Sequence, residues 1–250
     1  MKNSTIGNRL KKVLVIVFWL AVWEATALII DQPLYLPSVT ESLRALYGIV
    51  FYMDFWINVG ATFLRVLLGL SISFVVGVLL GIASAKSKFI AMLFSPFLST
   101  MKAIPTMSII ILALVWLRTG IVPVFVCFIL CFPIIYTNTL NGIRNIDEKL
   151  IELCDIYRIG KKRKLLGVII PSIKPYILSA VMVCVGLSWK STIAAEVLSA
   201  PALSMGYQLF TTKVYLDIPE LFAWTIVVVA FSMIIERLIK SLLKDNKVKA

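Results

Sequence analysis

The sequence predicts an all-α integral membrane protein with six transmembrane helices. Of its 250 residues, 60% are hydrophobic and only 15% are charged, whereas charged residues make up about a quarter of an ordinary soluble domain. A helix needs about 20 mostly apolar residues to cross the hydrocarbon core, and six such segments are separated by short, charged loops. The third observation is the uneven distribution of lysine and arginine among those loops, which gives the topology.

Each span is recognised by a long, mostly apolar stretch. We predict the spans at residues 13–30, 61–85, 89–117, 121–140, 172–198 and 219–240. The first contains Glu24, but it is long and lacks a small-residue cleavage site, so we interpret it as a retained span rather than a signal peptide. Pro105 interrupts the third, so we expect a hinge there, with a short helix followed by a spanning one.

Lysine and arginine concentrate on one side of the predicted bundle. Residues 1–12, 86–88, 141–174 and 236–250 hold 4, 2, 8 and 5 of the 25 cations, and the opposite side holds 3. Because cytoplasmic loops contain the excess, both termini and the loop at 144–168 are predicted to be cytoplasmic. Topology and contact with anionic lipid explain the net charge of +12, so no nucleic-acid partner is expected.

Several kinds of chemistry are excluded by residue content. The chain has no histidine, which removes imidazole bases and His-ligated metals. It also lacks the G-x-x-x-x-G-K-[ST] loop that would bind ATP phosphates. The four cysteines form no C-x-x-C pair and are predicted to be packing residues: Cys127, Cys131, Cys154 and Cys184. We therefore expect no catalytic residue, no metal site and no cofactor.

The longest predicted cytoplasmic loop has a helical pattern. Leu150, Leu153, Cys154 and Tyr157 recur at i, i+3, i+4 and i+7, which places them on one face of a helix. Such a face beside a membrane lies on the lipid headgroups, or it fits a groove on a cytoplasmic partner. Spacing alone leaves both alternatives open.

Capping residues predict that this loop contains two short helices joined by an elbow. Asp147 can cap the first helix, and Gly160 is expected to end it in the left-handed conformation. The second short helix begins at Lys161, in the basic run KKRK. Pro171 and Pro175 follow, either in the first turn of the fifth span or as a kink inside it.

Residues 152–175 read ELCDIYRIGKKRKLLGVIIPSIKP. This stretch resembles the EAA loop of permease subunits of binding-protein-dependent ABC importers, with ELC in place of Glu-Ala-Ala and IPSIKP matching the proline-containing end. The departure is the glycine six residues after the glutamate, because Arg158 stands there and Gly160 follows two residues later. The resemblance therefore predicts an elbow that bends later than in the relatives.

Five further blocks resemble the nitrate, sulfonate and taurine branch of that family. They are ATFLRVLLGL at 61–70, AIPTMSIIILALVWLRTG at 103–120, NTLNGIRNID at 138–147, SWKSTIAAEVL at 188–198 and PELFAWTIVV at 219–228. The resemblance implies the type I ABC importer permease fold, with 57–241 as the transmembrane domain, preceded by 1–56 and followed by a basic tail at 242–250. It also implies the plasma membrane of a prokaryote and a small anionic solute such as nitrate, a sulfonate or taurine.

The same resemblance implies partners and a coupling site. The partners are cytoplasmic ABC ATPase subunits, an external substrate-binding protein and a second copy of the permease, and ATP hydrolysis belongs to the ATPase. The elbow would be the coupling helix, with KKRK complementing acidic ATPase or lipid groups and the two prolines stiffening the fifth span. The implied coupling residues are Leu150, Glu152, Leu153, Cys154, Tyr157, Arg158 and Gly160.

Charged residues within spans are functional candidates, because their burial in lipid is costly. Lys190 lies about 22 Å beyond Pro175 at 1.5 Å per residue, where it either reaches the outer headgroups or attracts an anion along the path. Glu196 matches an Ala-Ala-Glu of the family, and we expect a gate or an interhelical contact there. Arg65 and Glu24 either pair across helices or reach an interface.

Two alternatives stay open at this point. Gly69, Gly77 and Gly81 permit close helix contact, which we expect within the subunit, with a homodimer contact as the alternative. For function, the alternatives are a membrane protein that docks a cytoplasmic partner without transport, and a secondary transporter, although no internal repeat is visible.

Overall fold

The fold is described from a computed structural model that places residues 3–248, with side chains described for residues 11, 13–239 and 241. The helices are α1 (Asn3–Ile30), α2 (Val39–Val50), α3 (Met53–Lys86), α4 (Lys88–Ala103), α5 (Thr106–Trp116), α6 (Val122–Arg144), α7 (Glu148–Ile156), α8 (Lys161–Lys164), a π-helix (Leu165–Ile169), α9 (Ile170–Ser199), α10 (Met205–Val214) and α11 (Ile218–Val248). The described residues contain no strand, and the predicted all-α class is confirmed. The basic tail predicted at 242–250 lies outside the side chains described.

Within the described residues, five helical segments are long and apolar enough to cross a membrane, and one bent pair is a sixth candidate. That pair is α4 and α5, whose axes meet at 106° beside Pro105. Leu98 and Met101 of α4 pack with the C-terminal half of α6, whereas Ile109 and Ile110 of α5 pack with its N-terminal half. The two helices of the bent pair therefore contact different halves of α6. The interruption at Pro105 is confirmed, but the expected spanning second piece is wrong, because α5 has only 11 residues.

A stripe of small residues joins α3 to α6. Gly69, Gly77 and Gly81 are buried, and an added Cβ on each would stand 2.6 to 2.9 Å from a side chain of α6. Ser73 continues the stripe between them and donates to the Gly69 carbonyl over 2.6 Å. Small side chains let two backbones approach closely in a membrane. The glycines therefore pack within the subunit as expected, and the homodimer alternative for this face is wrong.

Contacts fix the relative directions of the long helices. Gly69 meets Cys127 and Gly81 meets Thr139, so α3 and α6 run parallel. In contrast, α6 and α9 run antiparallel, because Gly142 meets Tyr176 while the sulfurs of Cys131 and Cys184, further along, each lie 3.6 Å from the other's carbonyl. The predicted topology requires these relations. All four cysteines are buried free thiols, as expected of packing residues.

Two helices outside the predicted spans, α2 and α10, lie at the end of the bundle opposite the elbow, which is the predicted outer end. Ser38 and Glu41 form a capping box at the start of α2, and α2 packs beside α11. Glu24 of α1 accepts from the backbone nitrogen of Val39 over 2.6 Å, so it caps the neighbouring helix. The second helix, α10, lies between α9 and α11 in the chain and begins at an N-cap, Ser204, whose side chain accepts from the Tyr207 nitrogen.

Candidate functional site

The elbow begins with the helix α7, as the sequence predicts. Asp147 occupies its N-cap, and the Asp147 carboxylate accepts from the backbone nitrogen of Lys149 over 2.9 Å. This bond satisfies one of the amide groups that the first turn leaves without an intrahelical partner. The predicted cap is confirmed, and it fixes where α7 leaves the end of α6.

The end of α7 differs from the prediction. Arg158 adopts the left-handed conformation with φ 49°, while Gly160 has an ordinary φ of −59°. The Ile159 nitrogen donates to the Cys154 carbonyl over 2.8 Å, and the Arg158 nitrogen donates to the Asp155 carbonyl over 3.1 Å. These two bonds form a Schellman motif, in which the residue after the C-cap is left-handed. The expectations that Gly160 is left-handed and that the elbow bends late are therefore wrong.

The hydrogen bonds of the helix end explain this result. The left-handed position is set by the register of the closing bonds, and here it falls on the residue where the family pattern has glycine. A residue with a Cβ adopts this conformation at a cost of about 1–2 kcal/mol. The chain accepts that cost at Arg158, and the bend stays at the position that the EAA pattern gives it.

The elbow is joined directly to the fifth span. Asp155 of α7 and Lys164 of α8 form an ion pair of 2.7 Å across the bend. The predicted second short helix does begin at Lys161, as α8. It does not end before the span, because the helix continues to Ser199 as one apolar span candidate. Inside it, the Ile170 nitrogen bonds to the Leu165 carbonyl in a π-helical turn just before Pro171. A proline removes a backbone donor and crowds the preceding turn, which accounts for the wider turn at that place.

The apolar residues of the elbow divide into one buried and several exposed side chains. Cys154 is only 3% exposed, and it faces inward. The elbow surface consists of the outward-facing side chains Leu150, Leu153, Ile156, Tyr157 and Ile159. Ile156 and Tyr157 are about three-quarters exposed, at 75% and 74%, and Glu152 and Arg158 are exposed beside them. The single subunit therefore leaves this surface uncovered.

A second group of functional candidates meets where α3, α9 and α10 contact one another, at the end of the bundle opposite the elbow. Glu196 is fully buried, and Arg65 pairs with the Glu196 carboxylate at 2.8 Å. Thr62 donates to the same carboxylate over 2.9 Å, and the Gly206 nitrogen donates to it over 3.3 Å. Arg65 also donates to the Leu203 carbonyl over 2.7 Å. We call Thr62, Arg65, Glu196 and Gly206 the outer junction, after the side of the membrane that the charge distribution predicts for them.

Close backbone approach completes the outer junction. An added Cβ at Gly206 would overlap the Cβ of Glu196 and would stand 2.7 Å from the backbone nitrogen of Val197. The amino end of α10 therefore lies directly on α9, where its free amide groups and dipole favour a carboxylate. Of the two roles expected for Glu196, the interhelical contact is present, with Arg65 as the charged partner.

Lys190 lies apart from this junction. Its side chain is exposed and lines a cleft of about 360 Å³ between α9 and α11, together with Gly186, Met182, Val183 and Glu236. Among the described side chains, the lining includes one cation, Lys190, and one carboxylate, Glu236. We call it the α9–α11 cleft.

Several of these residues have little signal in the sequence. Thr62 and Gly206 join Glu196 only through the fold, because Thr62 is 134 positions away in the chain. Glu236 is the first residue of the cationic segment 236–250. The topology was predicted from lysines and arginines alone, so this glutamate did not enter the prediction. The α2 helix did have a signal, since the capping-box pattern Ser38-x-x-Glu41 precedes an apolar run.

Comparison with known proteins identifies the class. The sequence matches the family of the binding-protein-dependent transport system inner membrane component over residues 77–245. Among its relatives is MJ0413 of Methanocaldococcus jannaschii, named as an ABC transporter permease protein, 28% identical over 193 residues, or 74% of this chain and 72% of that protein. The nitrate import permease NrtB of Synechococcus elongatus is 26% identical over 218 residues, 83% and 77% of the two chains. The taurine permease TauC of Escherichia coli is 22% identical over 220 residues, 86% and 80%.

A solved structure shares the fold. The inward-facing MetNI methionine ABC transporter contains a chain that aligns with a TM-score of 0.56 and 16% identity, over 76% of this chain and 93% of that one. This chain therefore belongs to the family of binding-protein-dependent inner membrane components, and it is a permease subunit of an ABC importer. The resemblance seen in the sequence is confirmed. Such a multi-pass subunit implies a separate ATPase subunit and a substrate-binding protein as partners.

Proposed function

We propose that this permease forms the translocation path for a small solute with an anionic group, and that its elbow surface couples the path to a cytoplasmic ATPase. The observation that carries the proposal is the exposed elbow surface at the position of the EAA pattern. A surface with side chains 75% and 74% exposed would be covered by a groove on a partner, in the way that an amphipathic helix docks.

The connection from the elbow to the fifth span supports a coupling role. The ion pair of Asp155 and Lys164 and the two Schellman bonds hold α7 against the start of the α8–α9 helix. A shift of the docked elbow would thus be passed to α9 as a tilt. The π-helical turn with Pro171 and Pro175 is the proposed hinge, since π-bulges and prolines are places where helices bend.

The outer junction is the proposed outer gate, because it ties α9, α3 and α10 together at the end opposite the elbow. Tilting of α9 would act on the pair of Glu196 and Arg65 directly. Lys190 is the proposed anion attractor of the path, since a cation in a low-dielectric passage raises the local concentration of anions.

The solute class rests on two supports. Relatives are named for nitrate and for taurine, and the span region of this chain holds the cations Arg65, Lys102 and Lys190. We further propose a complex of two copies of this chain, with KKRK near anionic lipid or acidic ATPase groups and with both termini cytoplasmic, as the charge distribution predicts.

Reconstitution tests the importer function. Vesicles containing this chain, its cognate ATPase and its binding protein should take up solute only when ATP and all three components are present. Glu152→Ala should leave the ATPase bound but lower uptake, because it removes a charge beside the apolar contact. An ATPase that binds without any uptake would favour the rival class, a docking protein that does not transport.

The orientation has its own test. In a variant with the four native cysteines replaced by alanine, Asn145→Cys should resist an impermeant thiol reagent in intact cells, whereas Lys213→Cys should react. Ready labelling of Asn145→Cys would overturn both the orientation and the coupling role of the elbow.

A further inference from the structure

Helix α4 exposes two flanks of opposite character, one on each side of its packed face at Leu98 and Met101. One flank is apolar and consists of Phe89, Leu93 and Phe97, all of them exposed. The other flank consists of exposed polar residues that recur at i, i+7, i+11 and i+14, in a single row along the helix: Lys88, Ser95, Ser99 and Lys102. A helix with lipid on both flanks would not separate its exposed side chains in this way.

The C-terminal half of α6 continues the polar row of α4. The ammonium of Lys102 donates to the hydroxyl of Thr137 over 3.1 Å. Thr137, Asn141 and Arg144 recur at i, i+4 and i+7, so they lie on one side of α6, and Asn141 and Arg144 are exposed. We call the four polar residues of α4 and these three residues of α6 the inner tract, after the predicted side of the membrane.

The inner tract extends from the predicted cytoplasmic end of the bundle into the membrane. Lys88 and Arg144 belong to segments that the charge distribution places in the cytoplasm. At 1.5 Å per residue, Lys102 lies about 21 Å along α4 from Lys88, and Thr137 lies about 10 Å along α6 from Arg144. Lys102 is therefore the deep end of the tract, beside the break between α4 and α5 at Pro105.

Contact with lipid does not account for the inner tract. Polar and ionisable side chains within spans face the bundle interior or a water-filled cavity, because their exposure to hydrocarbon is costly. A lysine can extend its long side chain to the headgroups, but the side chains of Ser95, Ser99 and Asn141 are too short to do so. Among its seven residues the tract has three cations and no acid. Its composition therefore favours water and a solute with an anionic group.

We propose that the inner tract lines the inner half of the translocation path as a water-filled groove, and that Lys102 at its deep end contacts the solute. The proposal rests on the proposed function, because it locates part of that path in this chain. A solute moving inward would meet Lys102 where α4 and α5 break apart, and would then pass along the hydroxyl and amide groups of the tract to the cytoplasm.

Cysteine reporters on the two flanks of α4 test the groove. Ser99→Cys on the tract and Phe97→Cys on the apolar flank are each made with the four native cysteines replaced by alanine, in the complete complex with the ATPase. Inside-out membrane vesicles are treated with impermeant methanethiosulfonate reagents that bear a sulfonate or a trimethylammonium group. Ser99→Cys should react with both on the order of 10-fold faster than Phe97→Cys, because the thiolate is the reactive form and apolar surroundings disfavour it.

Lys102→Met in the Ser99→Cys background tests the role of the cation. It should slow the sulfonate reagent and speed the ammonium reagent, each by about 2- to 10-fold, as for a unit charge at roughly 8 Å and an effective dielectric constant of about 30–80. Lys102→Arg should keep the original rates. Lys190→Met is the matched control, because Lys190 lies in the α9–α11 cleft, which other helices form, and it should change neither rate.

Uptake by the reconstituted complex provides a second measurement of the role of Lys102. Lys102→Met should lower ATP-dependent uptake while the ATPase stays bound, and Lys102→Arg should restore it, because both basic side chains present the same charge at this position. Unchanged reagent rates and unchanged uptake in Lys102→Met would overturn the contact between Lys102 and the solute.

The outcomes separate the groove from the importer function. Equal labelling of Ser99→Cys and Phe97→Cys would overturn a water-filled groove on one flank of α4. Resistance of Ser99→Cys to both reagents, together with its oxidative cross-linking to a second copy, would overturn the groove and show a dry contact between subunits. Absence of ATP-dependent uptake by the reconstituted wild type would count against the importer function instead, because the labelling pattern depends only on the groove.

Discussion

The outer junction and the elbow surface lie toward opposite ends of α9 and differ in how their side chains are partnered. At the outer junction, the carboxylate of Glu196 is fully buried and receives hydrogen bonds from Thr62, Arg65 and Gly206. At the elbow, the apolar side chains of Leu153 and Tyr157 face outward. The carboxylate of Glu196 therefore has its hydrogen-bond partners within one subunit, whereas the apolar side chains of the elbow surface are exposed in that subunit.

This difference separates two kinds of mutational effect. Substitutions at a closed polar junction remove partners from buried groups, so their cost appears in the stability of the subunit itself. Substitutions at an exposed surface leave the subunit folded and appear in the affinity for a partner. The distinction would be contradicted by a variant of the outer junction that changes only partner affinity, or by a variant of the elbow surface that changes the stability of the subunit.

The largest expected effect is at Glu196. Glu196→Ala removes the carboxylate that pairs with Arg65, and it leaves Thr62 and the Gly206 nitrogen without their acceptor. Breaking a buried ion pair by removing one partner costs about 3–5 kcal/mol, and we expect a loss of that size in the free energy of unfolding, measured by denaturation in detergent. The control Glu152→Ala, at an exposed position, should change it by no more than about 0.5 kcal/mol. Equal shifts for the two variants would remove the distinction between the regions.

A smaller effect is expected at Gly206. The added methyl group of Gly206→Ala overlaps Glu196 and presses on the backbone of α9. Overpacking of this kind costs about 1–3 kcal/mol, again read as a lower free energy of unfolding. Gly60→Ala is the matched control, because its Cβ meets nothing within 4 Å and alanine is favoured over glycine in a helix by about 0.5–1 kcal/mol. A stabilising Gly206→Ala would show that α10 does not lie on α9.

The smallest effect concerns the end of the elbow helix. Gly160 has an ordinary backbone conformation and open space around it, so Gly160→Ala should raise the free energy of unfolding by about 0.4–1 kcal/mol through a less flexible unfolded chain. Arg158→Val should lower it, because a β-branched residue is poorly accommodated in the left-handed conformation. If Gly160→Ala were the destabilising change, the bend would lie at Gly160 after all.

Long-range contacts set the limit of what could be predicted from the sequence. The spans and the small-residue stripe depend on composition and on spacing within one helix, and both are visible in a single sequence. The outer junction depends on residues 134 positions apart, and nothing local marks Thr62 as the partner of Glu196. The sequence predicts an interhelical contact for Glu196 but does not identify Arg65 as the partner, and the structure supplies that pairing.

The end of α7 shows a different limit. Glycine is the usual residue for a left-handed helix end, so Gly160 was the natural choice from the sequence. The position is fixed instead by which carbonyls of the last turn accept the closing hydrogen bonds, and those bonds place Arg158 there. The sequence therefore predicts correctly that α7 ends in a left-handed residue. The register of the closing hydrogen bonds determines that this residue is Arg158.

Co-purification of the ATPase with Leu153→Asp tests the central claim most directly, which is that the elbow surface docks the ATPase. A charge at this position would enter an apolar groove without a partner, so the variant should lose the ATPase while remaining folded in the membrane. Leu34→Asp is the matched control, because that leucine is also exposed, at 59% against 47%, on the predicted outer side. We expect Leu34→Asp to retain the ATPase and Leu153→Asp to lose it. Retention of the ATPase and of uptake by Leu153→Asp would contradict the account and would favour an elbow that lies on the lipid headgroups.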